Sequence, residues 1–151
     1  NSSFRALGAD PDDDRLPIRT ENMGMYLFQR DEPDGFDELG IAWTDTQSLL
    51  ERMKYSQALA GNMGYAYGEW DIAATLEGYS LETGEDILNH FEEFLFQGDL
   101  PAERRAVLEE FMNTDNEGNA SPLDSLSGSA RLNRIEELLG LILSAPEFQL
   151  Q

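Results

Sequence analysis

The sequence predicts a mainly α fold: four principal helices with an irregular, Gly- and aromatic-rich N-terminal half. Three observations carry this. From Thr44 onward apolar residues recur at helical spacing in separate blocks, each block is bounded by capping or breaking residues, and the first forty residues show no sustained period of either 3.6 or 2. We therefore divide the chain into an irregular segment, 1–43, and a helical segment, 44–151, within one structural domain. At 151 residues the chain is long enough to bury a core, on the order of 70% of the surface exposed by the unfolded chain.

The irregular segment holds Pro11, Pro17 and Pro33 together with Gly8, Gly24, Gly35 and Gly40. Such punctuation favours loops, with one short helical turn expected around Met23 to Phe28. The run Asp10-Pro11-Asp12-Asp13-Asp14 is too charged to bury and reads as a solvated loop, cation binding being the alternative. At Thr44 a capping-box pattern with Gln47 opens the first long helix, whose face is expected at Leu49, Leu50, Met53 and Ala60 before Gly61-Asn62 stops it. Residues 61–82 interleave glycines with Tyr65, Tyr67, Trp70 and Tyr79, a composition of a folded connection with a short helix at 71–77.

Thr83 is placed to cap the next helix, Glu85 and Asp86 suit its positive end, and Ile87, Leu88, Phe91, Phe94 and Leu95 make its apolar stripe up to Gly98. Pro101 is tolerated in a first turn, so a helix restarts there with the stripe Val107, Leu108, Phe111 and Met112, and the two pack as an antiparallel hairpin. A polar loop from Thr114 to Gly128 leads to the last helix, defined by Leu132, Ile135, Leu138, Leu139, Ile142 and Leu143. Ala145-Pro146 ends it, because the residue before proline is driven out of the helical region.

Composition excludes several chemistries. Thirty acidic residues against ten basic ones give a net charge of −20, which repels a phosphate backbone and makes nucleic acid a poor partner. Nine of the basic residues are Arg and one is Lys54, a balance compatible with either a saline habitat or ordinary acidic solubility. Without cysteine there are no disulfides, thiolate metal sites or thiol nucleophiles. No stretch approaches the roughly 18 apolar residues of a membrane span.

Candidate chemistry is sparse. His90, the sole histidine, has Asp86 and Glu93 one turn away on either side, which favours a polar helix face with an ion pair over a catalytic base. The pairs Glu92-Glu93, Glu109-Glu110 and Glu136-Glu137 read as solvated surface, since adjacent residues on a helix do not face each other. No catalytic residue is assigned. Asn113, Asp115, Glu117, Asn119 and Asp124 match alternate ligand positions of a calcium loop around Gly118, while Ala120 and Pro122 sit where such a loop continues into a strand-like pair; a plain polar loop is favoured, calcium being the alternative cofactor. Phe36, Trp43, Tyr65, Tyr67 and Trp70 are the candidate binding surface, either plugging the loops onto the helices or stacking on a partner or a sugar ring.

Several short elements resemble a known family in order and spacing: Arg5-Ala6-Leu7-Gly8, Met23-Gly24, Leu27-Phe28, Pro33-Asp34-Gly35-Phe36, Trp43, Leu49-Leu50-x-Arg52, Ala58-x-Ala60, and Leu141 to Gln149 reading Leu-Ile-Leu-Ser-Ala-Pro-Glu-Phe-Gln. The chain resembles the C-terminal part of the bacterial family called domain of unknown function 1800. The resemblance implies a segment of a larger helical protein with a mid-protein start at Asn1, and a periplasmic, cell-surface or extracellular location. It implies a partner that is another protein chain or the rest of the same protein, and Arg52 in a structural ion pair with the Asp34 loop. Phe148, just beyond the last helix, reads as an apolar anchor that either clamps the terminus onto the core or forms an interface. The expected role is a non-catalytic binding or structural component; the alternatives are support for an upstream enzyme site, or a carbohydrate-binding module.

Overall fold

A computed structural model describes residues 16–23, 46–61 and 71–149. Among them the architecture is α-helical: α1 (Leu16–Asn22), α2 (Thr46–Ala60), α3 (Ile72–Gly78), α4 (Gly84–Phe96), α5 (Ala102–Asn113), a 3₁₀ turn (Leu123–Ser125), α6 (Gly128–Ser144) and α7 (Pro146–Gln149). An isolated antiparallel bridge joins Thr114 to Ala120. None of the described helices is long and apolar enough to cross a membrane.

The irregular segment does contain a helix. Pro17 lies in the first turn of α1, where a missing N–H costs nothing, and the Thr20 hydroxyl donates to the Pro17 carbonyl at 2.8 Å. The expected turn around Met23 to Phe28 falls outside the described residues apart from Met23, as do the Asp10–Asp14 run and the Thr44 cap.

Local capping chemistry sets the helix limits where it was expected to. Asp71 caps α3 by accepting from the Ala74 N–H at 3.0 Å. Thr83 and Asp86 form a reciprocal capping box at the start of α4. Its far end closes through Gln97 and Gly98, both left-handed (φ 55° and 76°), whose N–H groups return to Glu93 and Glu92. Ala145, extended before Pro146, ends α6, and its carbonyl then starts α7 by accepting from Phe148 and Gln149 at 3.0 Å each. Helix α6 begins at Gly128, four residues before its first apolar position Leu132, in a stretch of small residues with no hydrophobic signal.

Helix α6 is the axis of the core. Ile135, Leu138, Leu139, Ile142 and Leu143 are at most 1% exposed and gather Ile87, Leu88 and Phe91 of α4, Leu108 and Met112 of α5, and Leu59 and Ala60 of α2 into one cluster. Ser56 meets Leu143 while Ala60 faces Gly140, so α2 and α6 run antiparallel. The contact is made by small groups: a Cβ on Gly140 would lie 3.5 Å from the Gln57 Cα and 3.8 Å from the Ala60 Cβ. Close approach of this kind is what small residues at a helix crossing permit.

The expected face of α2 is only partly buried. Ser56, Leu59 and Ala60 are buried where α2 lies on α6, and Ser48 is buried as well, whereas Leu49, Leu50 and Met53 are 36%, 50% and 38% exposed. Leu49 and Met53 point the same way as Ala60 on a helix of about 3.6 residues per turn, but Ser56 already meets Leu143 near the end of α6, so the turns before it run past the partner helix. Two further positions expected in apolar stripes, Phe94 and Val107, are each 53% exposed.

The sequence motif at the C-terminus has a structural reading. Glu147 pairs with Arg104 at 3.3 Å, and Phe148 packs edge-on against Phe96 with centroids 6.5 Å apart. Gln149 Nε2 donates to the Leu143 carbonyl (2.5 Å) and to Ser56 Oγ (3.2 Å), while the Ser56 hydroxyl donates to the same carbonyl. One of the four orphan carbonyls at the end of α6 is thus satisfied twice, and α7 clasps α2, α4 and α5 onto α6. Phe148 is the terminal anchor that the sequence suggested.

Candidate functional site: a groove between α4 and α5

The α4–α5 hairpin is antiparallel, since Arg105 reaches Glu92 and Asn89 while Met112 reaches the start of α4 at Gly84. It is not a closed hairpin. Between the first turns of α4 and the last turns of α5 lies a groove of about 350 Å³, floored by Leu88, Met112 and Leu123 and walled by Glu85, Arg105, Glu109 and Asp124. Gly84 packs tightly at the start of α4. A Cβ there would meet Leu123 Cδ2 at 3.3 Å and Met112 Sδ at 3.5 Å, and the bare N–H donates to Asp124 Oδ1 at 2.7 Å. An acidic side chain forty residues away thereby satisfies one of the orphan donors of α4.

Arg105 organises the upper wall. Its Nε donates to Glu109 (2.8 Å), one terminal nitrogen to Glu92, and the other to the Asn89 side-chain oxygen (2.8 Å). Burial opposes the charge, but the hydrogen bonds the guanidinium donates to Glu109 and Glu92, with the attraction of both carboxylates, outweigh it and hold its pKa above the ordinary value. Glu92 was expected on solvated surface; its side chain is 16% exposed, drawn inward by this pair. Arg105 and Glu109 are one turn apart on α5, whereas Glu92 lies across the turn and gave no local signal.

The five calcium-loop candidates part into three directions. Asp115 Oδ1 accepts from the backbone N–H groups of Glu117 (2.9 Å) and Asn119 (2.8 Å), and the Asn119 side-chain amide closes back on both Asp115 oxygens. These bonds, led by the Asn119 N–H, lower the Asp115 pKa. Asn113 turns back to the Glu109 carbonyl at 2.7 Å, and Asp124 faces α4. The structure therefore brings Asp115, Glu117 and Asn119 together and leaves Asn113 and Asp124 on other tasks. Among the described residues no group of three or more His, Asp and Glu side chains is spaced to hold a metal ion.

His90 does not make the ion pair expected of it. Asp86 is occupied by Thr83, whose hydroxyl hydrogen bond is the main reason its pKa is lowered. The imidazole instead stacks on Phe94 (5.9 Å, 8°), tilts against Tyr79 (4.4 Å, 41°) and meets Phe91 edge-on (5.1 Å). Burial among these rings lowers its pKa below 6.5.

The sign of the pH effect follows. In the window between the lowered folded value and 6.5 the unfolded chain binds more protons, so this contribution is complete above 6.5 and is lost as pH falls through the folded value. Urea unfolding at about pH 7.5 and about pH 5.5 is expected to show a larger loss of stability on acidification for the native chain than for His90→Gln. An equal loss in both would remove the role of the stack.

The candidate binding residues Phe36, Trp43, Tyr65, Tyr67 and Trp70, and the Asp34 partner expected for Arg52, lie outside the described residues. Tyr79 is the loop aromatic that the structure does place, 60% exposed beside His90.

Residues 2–150 match the family model described as "Protein of unknown function (DUF1800)". No curated protein and no solved structure matches the chain.

Proposed function

The chain belongs to the DUF1800 family of proteins of unknown function, and from that premise we propose that this segment is a non-catalytic binding or structural component of an exported or cell-surface protein assembly. The observation that supports the reading is the first half of α2. A helix that packs on α6 through Ser56 and Ala60 and leaves Leu49, Leu50 and Met53 of its earlier turns exposed presents the side chains that favour burial to something beyond the described core. The exposed rings of Tyr79 and Phe94 on either side of His90 add a second apolar surface. The partner is another protein chain or another part of the same protein. The net charge of −20 opposes an anionic partner.

The test uses Lys54, the only lysine of the chain, which is 57% exposed beside Met53 on α2. Because it is the one side-chain amine, an amine-reactive cross-linker applied to intact producing cells reports on this helix. A cross-link from Lys54 to a second protein segment, lost in the double variant Leu50→Glu with Met53→Glu, is the expected result. The variant should keep its helical circular dichroism, since neither side chain supports the α2–α6 contact. Only unpaired modification of Lys54, with the protein found in the cytoplasmic fraction, would sink the proposal.

A further inference from the structure

The rings of Tyr79, His90 and Phe94 specify the chemistry of a partner, on the reading that this chain is a component of a protein assembly. We propose that they dock a basic segment of another protein through its arginine side chains.

The ring geometry is the first reason. Tyr79 closes α3 and Phe94 stands one turn after His90 on α4, so the three rings form a row with centroids 4.4 Å and 5.9 Å apart. Buried Phe91 meets His90 edge-on and fixes the row on its inner side, while Tyr79 and Phe94 keep 60% and 53% of their surface exposed. An aromatic ring carries its negative charge on its faces and attracts a cation there. A planar guanidinium suits this best, because it can lie flat on a ring.

The surrounding charge is the second reason. From Asp71 to Glu103 the chain carries nine carboxylates and no Lys or Arg. Asp86 and Glu93 stand one turn before and one turn after His90 on α4. Thr83 donates to the Asp86 carboxylate and favours its charged form, and Glu93 makes no ion pair among the described residues. The cations that reach this region are spent elsewhere: Arg105 on Glu92 and Asn89, and Arg131 on the Glu82 carbonyl. His90 adds no opposing charge near neutral pH, since burial among the rings favours its neutral form.

These two features select among partners. An anionic segment is repelled, and an aliphatic one covers the rings but strips water from Asp86 and Glu93 without replacing its hydrogen bonds. Arginine stacks on a ring and donates to a carboxylate with the same group.

Titration of the intact chain followed by heteronuclear NMR, at about 150 mM salt to suppress diffuse attraction to the acidic surface, tests this with blocked peptides of alternating glycine and arginine. Lysine replaces arginine in a second peptide, and citrulline, which keeps the shape of arginine without its charge, in a third. The expected result is amide shifts centred on Tyr79, His90, Glu93 and Phe94, with arginine bound more tightly than lysine and citrulline not bound. The double variant Tyr79→Ala with Phe94→Ala removes the rings, keeps every charge, and should weaken arginine binding about tenfold. Glu137→Gln, at a side chain 60% exposed on α6, removes one charge elsewhere and should leave it unchanged. Lysine bound as tightly as arginine, shifts scattered over the whole surface, or an unchanged affinity in the ring variant would each overturn the inference.

The Lys54 cross-link tests the assembly itself on another helix, so the two can fail separately. A cross-link without arginine binding strikes the docking site alone. Arginine binding without a cross-link keeps the site and strikes the assembly.

Discussion

Replacing Phe91 by alanine is expected to destabilise the protein by about 3–5 kcal/mol, a large share of the roughly 5–15 kcal/mol that holds a domain folded. The ring is 2% exposed, within the core cluster, and its edge supports the His90 imidazole. Truncation removes the transfer free energy of the ring and leaves a cavity between helices that relax only in part. Phe94, three residues on, is the control: at 53% exposure its alanine variant should cost less than about 1 kcal/mol. Urea unfolding followed by circular dichroism measures both. Equal costs would mean that α4 presents a different face to the core.

Gly140 should separate two substitutions by sign. The methyl of Gly140→Ala would sit at 3.5 Å from the Gln57 Cα and 3.6 Å from its Cγ, an ordinary van der Waals distance, while relieving the cost of about 0.8–1.0 kcal/mol that glycine carries inside a helix. That variant is expected to be neutral or more stable by up to about 1 kcal/mol. Gly140→Leu has no such room and must push α2 off α6 at a cost of about 1–3 kcal/mol or more. It should also loosen the clasp in which Gln149 and Ser56 share the Leu143 carbonyl. Thermal midpoints of the two variants against the native chain decide it: a destabilising alanine would show the crossing to be tighter than its geometry, and a harmless leucine would show that α2 is not held there.

The groove was only partly readable from sequence. Thr83, Glu85 and Asp86 stood out as the start of a helix, but Glu92 and Glu109 read as solvated surface and nothing local joined Arg105 to either, or Asp124 to the start of α4. Asp124 was enlisted in a cation loop because it stands at the twelfth position of a spacing pattern. In the folded chain it serves the Gly84 N–H, since an orphan donor at a helix start draws a carboxylate from whichever segment passes by. His90 misled in the same way. Its neighbours in sequence offered charges, its neighbours in space are aromatic, and burial among them sets its protonation.

What the sequence by itself determined is where helices start and stop: Thr83 with Asp86, Gln97-Gly98, Pro101 and Ala145-Pro146 act through bonds and clashes within a few residues, so their effect does not depend on the rest of the fold. It also determined the family, whose match spans residues 2–150. Tertiary structure alone decided which side of each helix faces inward. On α2, Ser56 and Ala60 are buried because small groups let the helix approach the end of α6 at Gly140 and Leu143. Leu49 and Met53 point the same way as Ala60 but stand in turns that run past the end of α6 and were left outside, and periodicity has no term for where along a helix its partner stops.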